Sequence, residues 1–200
     1  MRPFDRLLLM NKAWVQDRLE LNDGYFDTLS SGQKPDFLWI GCSDSRVTAE
    51  QITGADPGEM FVHRNIANLV VPGDLNTLSV VQYAVEVLQV TDVIVCGHYE
   101  CGGVKTAMAG TKLGLIDGWL DNIARVKTMY QAELDQIADD HERFDRLVEL
   151  NTQEQVRNLA ATDSVRKMWA SHQIPNLHGW VFNLRTGLIK DVINLSPPGV

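Results

Sequence analysis

The sequence predicts an α/β fold, with a mostly parallel central sheet flanked by helices and preceded by an N-terminal helical arm. Two observations lead to this fold class. Short and almost continuously apolar runs at 36–43 and 92–98 are typical of strands buried on both faces in a parallel sheet. Segments with apolar residues at every third or fourth position alternate with the strand-like runs, which is the pattern of an α/β domain.

The N-terminal arm is predicted as an amphipathic helix over residues 3–20. Its apolar residues recur at helical spacing and are Phe4, Leu7, Leu8, Trp14, Val15 and Leu19. No strand precedes this helix. We therefore expect this helix to pack on a partner subunit as readily as on the core of its own chain.

The remaining elements follow in order along the chain. Strands are expected at 36–43, 60–63 and 92–98. A helix is expected over 74–90, with Asp74 or Asn76 as its N-cap. Helical segments follow within 115–134 and 145–172, and the sequence 177–195 reads as two strands around a turn at Thr186 and Gly187.

Length and charge limit the function classes. Two hundred residues suit one domain, here 1–200 with an arm over 1–30 and a core over 36–200, and no internal repeat or linker divides it. The formal net charge of -8 argues against a nucleic-acid partner, which would favour a basic face.

The N-terminal segment and the cysteines predict a location. The longest apolar run near the N-terminus, Leu7–Met10, is too short for a signal-peptide core or a membrane span. Three cysteines, an odd number, indicate free thiols or metal ligands in a reducing compartment. We expect a cytoplasmic protein without a membrane partner.

Side chains able to bind metal follow two of the buried strands. The sequence "IGCSDSR" ends the first strand with Cys42, Asp44 and Arg46, and "GHYECGG" ends the strand at 92–98 with His98 and Cys101. Ligands of open α/β sheets bind beyond the carboxyl ends of the strands, at a switch in strand order. If the two strands are neighbours, two thiolates, one imidazole and one carboxylate converge into a tetrahedral zinc site.

Each of these residues alone has a simpler interpretation. A cysteine after a buried strand is usually a small core residue, and Asp44 with Arg46 could be a structural ion pair. The two patterns together, at equivalent strand ends, favour a metal site. Cys96 lies inside its strand and is interpreted as a core residue, because a mid-strand thiol does not easily reach past the strand end.

The segments "CSDSR", "HRNIAN" and "CGHYECGG" occur in the order and at spacings similar to those of the β-class carbonic anhydrases. The resemblance covers nearly the whole chain. It implies a zinc enzyme that interconverts carbon dioxide and bicarbonate, as an obligate homodimer that often pairs into a tetramer. By match of motif, Cys42, His98 and Cys101 are zinc ligands. Asp44 is then a switchable fourth ligand, or the partner of Arg46 when water holds that position.

The chemistry follows from this ligand set. Zinc held by Cys, His and Cys keeps one open position, as catalytic zinc sites do. Water there ionises near neutral pH, and the zinc-bound hydroxide attacks carbon dioxide. We expect Asp44 to accept a hydrogen bond from the hydroxide, and Arg46 to keep Asp44 ionised and off the metal.

The remaining site residues are implied by the resemblance. Five of them match the substrate cleft or the backbone around it: Gln33, Phe61, Ile66, Tyr83 and Gly102, the last with Gly103 allowing close backbone approach to the metal. The chain is also similar to a bacterial subset with a second, regulatory bicarbonate site. Trp39 and Arg64 match that site, whereas Phe182 stands where its tyrosine is expected.

Three other functions remain open from the sequence. A zinc enzyme of the same fold could hydrate carbon disulfide or carbonyl sulfide, with substrate choice set by access to the cleft. A structural zinc module would hold all four ligands permanently and turn nothing over. A nucleotide-binding α/β protein is disfavoured, because "CGGVKTAMAG" lacks a full phosphate-binding fingerprint.

Overall fold

A computed structural model describes residues 2–199, which divide into an N-terminal unit ending at Lys34 and a core beginning at Pro35. The N-terminal unit contains helices α1 (Pro3–Leu21) and α2 (Tyr25–Ser30), so the predicted arm helix is confirmed. The rings of Trp14, Tyr25 and Phe26 pack edge to face, with centroids 5.1–6.1 Å apart. This aromatic contact joins the two helices within the unit.

The core is built on a five-stranded sheet. Its strands are β1 (Phe37–Cys42), β2 (Met60–Asn65), β3 (Asp92–His98), β4 (Asn176–Phe182) and β5 (Ile189–Leu195). They lie in the order β2-β1-β3-β4-β5, with β2, β1, β3 and β4 parallel and β5 antiparallel to β4. The prediction of a mostly parallel α/β sheet is confirmed.

The core helices are α3 (Ala49–Thr53), α4 (Leu75–Gln82), α5 (Gly102–Ala109), α6 (Asp117–Met129), α7 (Gln131–Leu134), α8 (Asp140–Ala160) and α9 (Asp163–Ser171). Asp74 is the N-cap of α4, because its carboxylate accepts hydrogen bonds from the backbone N–H groups of Asn76 and Thr77. The single helix predicted over 74–90 differs from the structure, in which α4 ends at Gln82 and continues as a wider π-helical turn over Tyr83–Leu88.

The apolar runs form the middle of the sheet because both of its faces are covered. Along β1, Leu38 and Ile40 enter one hydrophobic cluster, while Trp39 enters another on the opposite face. The alternation is the two-residue period of a strand. Cys96 of β3 is fully buried in the same cluster as Trp39, which confirms its interpretation as a core residue.

The strand order places the functional end of the sheet. From β1 the chain passes to β2 on one side and then to β3 on the other, so the strand order switches at β1. Gly41 and Cys96 are paired across β1 and β3, and the carboxyl ends of the two strands are therefore adjacent. Among residues 2–199, no helix combines the length and the apolar character needed to cross a membrane.

Candidate metal centre and active site

The three predicted zinc ligands converge at the switch in strand order. Cys42 ends β1, His98 ends β3, and Cys101 is the N-cap residue of α5. Their ligand atoms all lie within 4.8 Å of one another, and all three side chains are buried. The sequence prediction that β1 and β3 are neighbours, and that these residues meet, is confirmed.

The state of His98 fits a metal ligand. Its Nδ1 lies 2.9 Å from the carbonyl oxygen of Tyr99. A carbonyl oxygen only accepts, so Nδ1 carries the proton and donates a hydrogen bond to it. Its Nε2 is fully buried and has no hydrogen-bond partner among residues 2–199. Buried polar atoms are rarely left unpaired, and a neutral imidazole held by its other nitrogen is the usual form of a metal-binding histidine.

The two thiols form a coupled pair. A hydrogen bond with Cys101 lowers the pKa of Cys42 against the opposing effect of burial, and His98 lowers it further. The same contact with Cys42, together with burial, raises the pKa of Cys101. Both sulfurs must lose their protons to bind a divalent metal ion as thiolates, and the charge of such an ion would favour that loss. The donor set of two thiolates and one imidazole fits one zinc ion per chain.

Asp44 and Arg46 form a pair beside this cluster. Arg46 donates from Nε to Oδ1 of Asp44 at 2.9 Å and from Nη2 to Oδ2 at 2.8 Å, and its backbone N–H donates to Oδ1 at 3.0 Å. The side-chain bonds from Arg46 hold the pKa of Asp44 well below its usual range. Oδ2 of Asp44 lies 3.8 Å from Nε2 of His98. Asp44 is thus ionised, paired with Arg46, and within reach of the metal position.

Arg64 holds the loop that follows β1. Its guanidinium donates to three backbone carbonyl oxygens in that loop, those of Cys42 at 2.9 Å, Asp44 at 2.5 Å and Val47 at 2.8 Å. The sequence singled out Arg64 for an anion and carried no signal for this role. Trp39 is buried within β1, with its ring 6.2 Å from that of Trp180.

The predicted cleft residues fall into separate places. Phe61 and Tyr83 contact each other, with ring centroids 5.8 Å apart. Phe61 of β2 is paired with Leu38 of β1, which lies four residues before Cys42. Phe61 is therefore about 13 Å from the level of Cys42, measured along the strands. Gln33 lies in the N-terminal unit and is exposed.

Ile66 lies beside the first turn of α5, which follows Cys101. A Cβ atom at Gly103 in that turn would lie only 3.1 Å from Cγ2 of Ile66. A Cβ atom at Gly102 would have no protein atom from another residue within 4 Å, apart from its chain neighbours and its own helix backbone. Gly103 is therefore closely packed against Ile66, whereas the backbone approach to the metal expected at Gly102 and Gly103 stays a prediction.

Two residues that support the site, Glu149 and Arg185, were not predicted from the sequence. The hydroxyl of Tyr99 donates to the carboxylate of Glu149 at 2.7 Å, and the carboxylate of Glu100 accepts from Arg185 at 2.7 Å. Glu149 carried a signal that could have been used. It is a charged residue between Val148 and Leu150 in the buried middle of α8, where a charge requires partners.

Comparison with known proteins identifies the family. The family model for carbonic anhydrase matches residues 37–189. A carbonic anhydrase of Emericella nidulans is 48% identical over 196 residues, which cover 98% of this chain and 86% of the relative. One of Pseudomonas aeruginosa is 37% identical over 172 residues, covering 82% of this chain and 76% of the relative.

Solved structures agree with these matches. A tetrameric β-carbonic anhydrase of Sordaria macrospora has a TM-score of 0.93 and 38% identity, covering 98% of this chain and all of the other. A Coccomyxa β-carbonic anhydrase in complex with acetazolamide has a TM-score of 0.92 and 34% identity, covering 98% of this chain and 89% of the other. With its Cys-His-Cys cluster, the chain belongs to the β-class carbonic anhydrases, the zinc enzymes that interconvert carbon dioxide and bicarbonate.

Proposed function

We propose that hydration of carbon dioxide by this chain takes place at the cluster of Cys42, His98 and Cys101, with Asp44 and Arg46 as its catalytic pair. The observation that supports this most is the buried and unpaired Nε2 of His98, which faces two thiols and lies 3.8 Å from the carboxylate of Asp44. Zinc supplies Lewis-acid activation of water at such a site.

Asp44 acts as an acceptor in this proposal. The pairing with Arg46 keeps Asp44 ionised, so its carboxylate accepts a hydrogen bond from the reacting water and orients it towards carbon dioxide. A carboxylate with a lowered pKa is a poor store for a proton, so the proton released by hydration passes on to solvent. Arg46 acts through Asp44, because its two-pronged contact directs the carboxylate away from the ligands.

The substrate cleft is completed by a second copy of the chain in this proposal. Phe61 and Tyr83 pack together about 13 Å along the sheet from Cys42, too far to line the metal site of their own chain. Tyr83 and Ile66 are partly exposed, as residues of a shared cleft would be. Gln33 and Gly102 are kept as substrate-binding predictions. The assembly is a homodimer or a pair of dimers, and the tetrameric Sordaria macrospora relatives support the larger form.

The regulatory bicarbonate site at Trp39 and Arg64, which would assign this chain to the bacterial subset, stays a prediction. A bound anion there would compete with the three carbonyl oxygens that Arg64 already contacts. Phe182 adds no hydroxyl donor. Inhibition of hydration by bicarbonate that Arg64→Gln relieves would support the site, and unchanged inhibition would contradict it. The cytoplasmic location and the treatment of arm and core as one domain are also predictions.

The experiment that tests the proposed site is stopped-flow carbon dioxide hydration by zinc-loaded protein, with zinc content measured on the same sample. We expect one zinc per chain and a rate that Asp44→Asn reduces by about a hundredfold or more while zinc is retained. Full activity in Asp44→Asn would contradict the catalytic pair. Activity without zinc would contradict the metal site.

A further inference from the structure

The two residues between the ligands His98 and Cys101 are both anchored at points away from the metal. Tyr99 and Glu100 form the whole of this short connection. Each side chain ends on a charged group from another part of the fold. These side-chain anchors differ from the contact that Arg46 makes, which is with the backbone carbonyl oxygen of Glu100.

The side chain of Tyr99 is anchored on a buried carboxylate that has several partners. Its hydroxyl donates to Oε1 of Glu149 at 2.7 Å, and the same oxygen accepts from Nζ of Lys190 at 2.6 Å. The other oxygen of Glu149 accepts from Arg146 at 2.9 Å. Glu149 is only 7% exposed, so its carboxylate is largely shielded from water, although Lys190 itself reaches solvent. The backbone carbonyl oxygen of Tyr99 accepts the hydrogen bond from Nδ1 of His98.

The anchor of Glu100 holds an unusual backbone. The φ angle of Glu100 is +60°, in the left-handed region that residues other than glycine rarely adopt. Its carboxylate accepts from Arg185 at 2.7 Å and lies 3.2 Å from Nε2 of His141. Its carbonyl oxygen accepts a longer bond, 3.5 Å, from Arg46. A strained conformation persists only where the surroundings hold it.

The two anchors share the same supports. Glu149 and His141 both belong to α8, whereas Lys190 and Arg185 belong to β5 and to the turn before it. The connection between the ligands is therefore held from one helix and from one hairpin. Groups that orient a ligand through its neighbours affect metal binding without touching the metal.

We propose that Glu149 and Arg185 are positioning residues that clamp the His98–Cys101 connection, through Tyr99 and Glu100, in the conformation that zinc requires. The proposal rests on the zinc site proposed above. Glu149 is the stronger half of the clamp, because its carboxylate is buried and accepts from three partners. Arg185 is the weaker half, because its ion pair with Glu100 is largely exposed.

The test is the rate at which zinc passes from the native protein to a chromogenic chelator, together with the visible spectrum of the cobalt-substituted form. Tyr99→Phe keeps the ring and removes only the hydroxyl. We expect it to release zinc about tenfold to a hundredfold faster and to shift the cobalt bands. Tyr130→Phe is the matched control. Its hydroxyl accepts from Arg157 and belongs to neither anchor, so zinc release should stay at the wild-type rate.

The second half of the clamp is tested in the same way. Arg185→Gln should release zinc about two- to fivefold faster. Arg157→Gln, which breaks an exposed pair with Glu154, is its control and should not change the rate. The clamp is overturned if Tyr99→Phe releases zinc at the wild-type rate or, should that variant not fold, if Arg185→Gln does. A wild-type protein that binds no zinc would contradict the metal site itself, which separates the two failures.

Discussion

Arg46 binds the carboxylate of Asp44 through two side-chain nitrogens, at 2.9 and 2.8 Å, beside a metal site that the same carboxylate could reach. Planar, two-pronged contacts of this kind fix orientation as well as charge. Oδ2 of Asp44 is 3.8 Å from Nε2 of His98. In the mechanism proposed above, a rotation of the Asp44 side chain would move its carboxylate from Arg46 to the metal position.

Replacing Arg46 with alanine should abolish most activity while zinc is retained. Without the guanidinium, Asp44 is free to turn onto the metal and to close the position where water binds. We expect the rate of carbon dioxide hydration to fall by about a hundredfold or more. Stopped-flow assays and zinc analysis on the same sample measure both effects. Arg46→Lys keeps the charge without the fork and should be intermediate, and wild-type activity in Arg46→Ala would contradict the role.

The three cysteines should separate cleanly by zinc content. Cys42→Ser and Cys101→Ser each remove a thiolate ligand, so both should lose zinc and activity. Cys96→Ser should retain zinc, because Cys96 is buried in the sheet and burial raises the pKa of its thiol. Metal analysis of the purified variants decides the matter. Full zinc in either ligand variant would remove the assignment, and loss of zinc in Cys96→Ser would mean that the wrong cysteine was excluded.

The strands and the ligand set could be predicted because their signals are local. Buried strands read as apolar runs, and the residues that follow β1 and β3 are adjacent in the sequence to those runs. The wide turn after α4 could not be predicted, because one extra residue in a turn hardly changes the apolar spacing.

The supports of the site escaped prediction because they join distant segments. Glu149 is 50 positions from Tyr99, and Arg185 is 85 positions from Glu100. Nothing in a local pattern pairs residues so far apart. The contacts of Arg64 with the loop after β1 escaped prediction for a related reason: a guanidinium that binds backbone carbonyl oxygens leaves no pattern in the side chains of that loop.

Deleting the N-terminal arm should impair assembly and activity. Phe4, Leu7 and Leu8 on α1 are each more than half exposed, which is unfavourable unless another surface covers them. A variant that lacks residues 3–20 should be inactive or aggregated, whereas the full chain should sediment as a dimer or tetramer. Sedimentation velocity and the hydration assay test this together. A stable and active monomer, from either protein, would contradict the role proposed for the arm.

Asp92 should contribute stability that depends on pH. It begins β3, at the end of the strand opposite His98, and accepts hydrogen bonds from His178 at 2.9 Å, Thr91 at 2.7 Å and Asn176 at 3.3 Å. Partial burial raises the pKa of Asp92, but these bonds together outweigh it and leave the pKa below its ordinary value. A carboxylate whose pKa is lowered by folding stabilises the folded state above its unfolded pKa of about 3.9, and this contribution is lost as pH falls through the folded pKa.

Urea unfolding of Asp92→Asn and of the wild type measures this contribution. At neutral pH we expect the variant to be less stable by about 1–2 kcal/mol, because the amide loses the charge that strengthens these bonds. As pH falls below about 4, the unfolded chain takes up a proton at Asp92 before the folded protein does, so the difference in unfolding free energy should shrink. Asp121→Asn, which alters an exposed carboxylate on α6, is the control and should show little difference at any pH. Zinc loss in acid affects all three proteins alike and cancels in the difference. If the difference in unfolding free energy between Asp92→Asn and wild type stays constant or grows towards low pH, the charge of Asp92 does not stabilise the folded state.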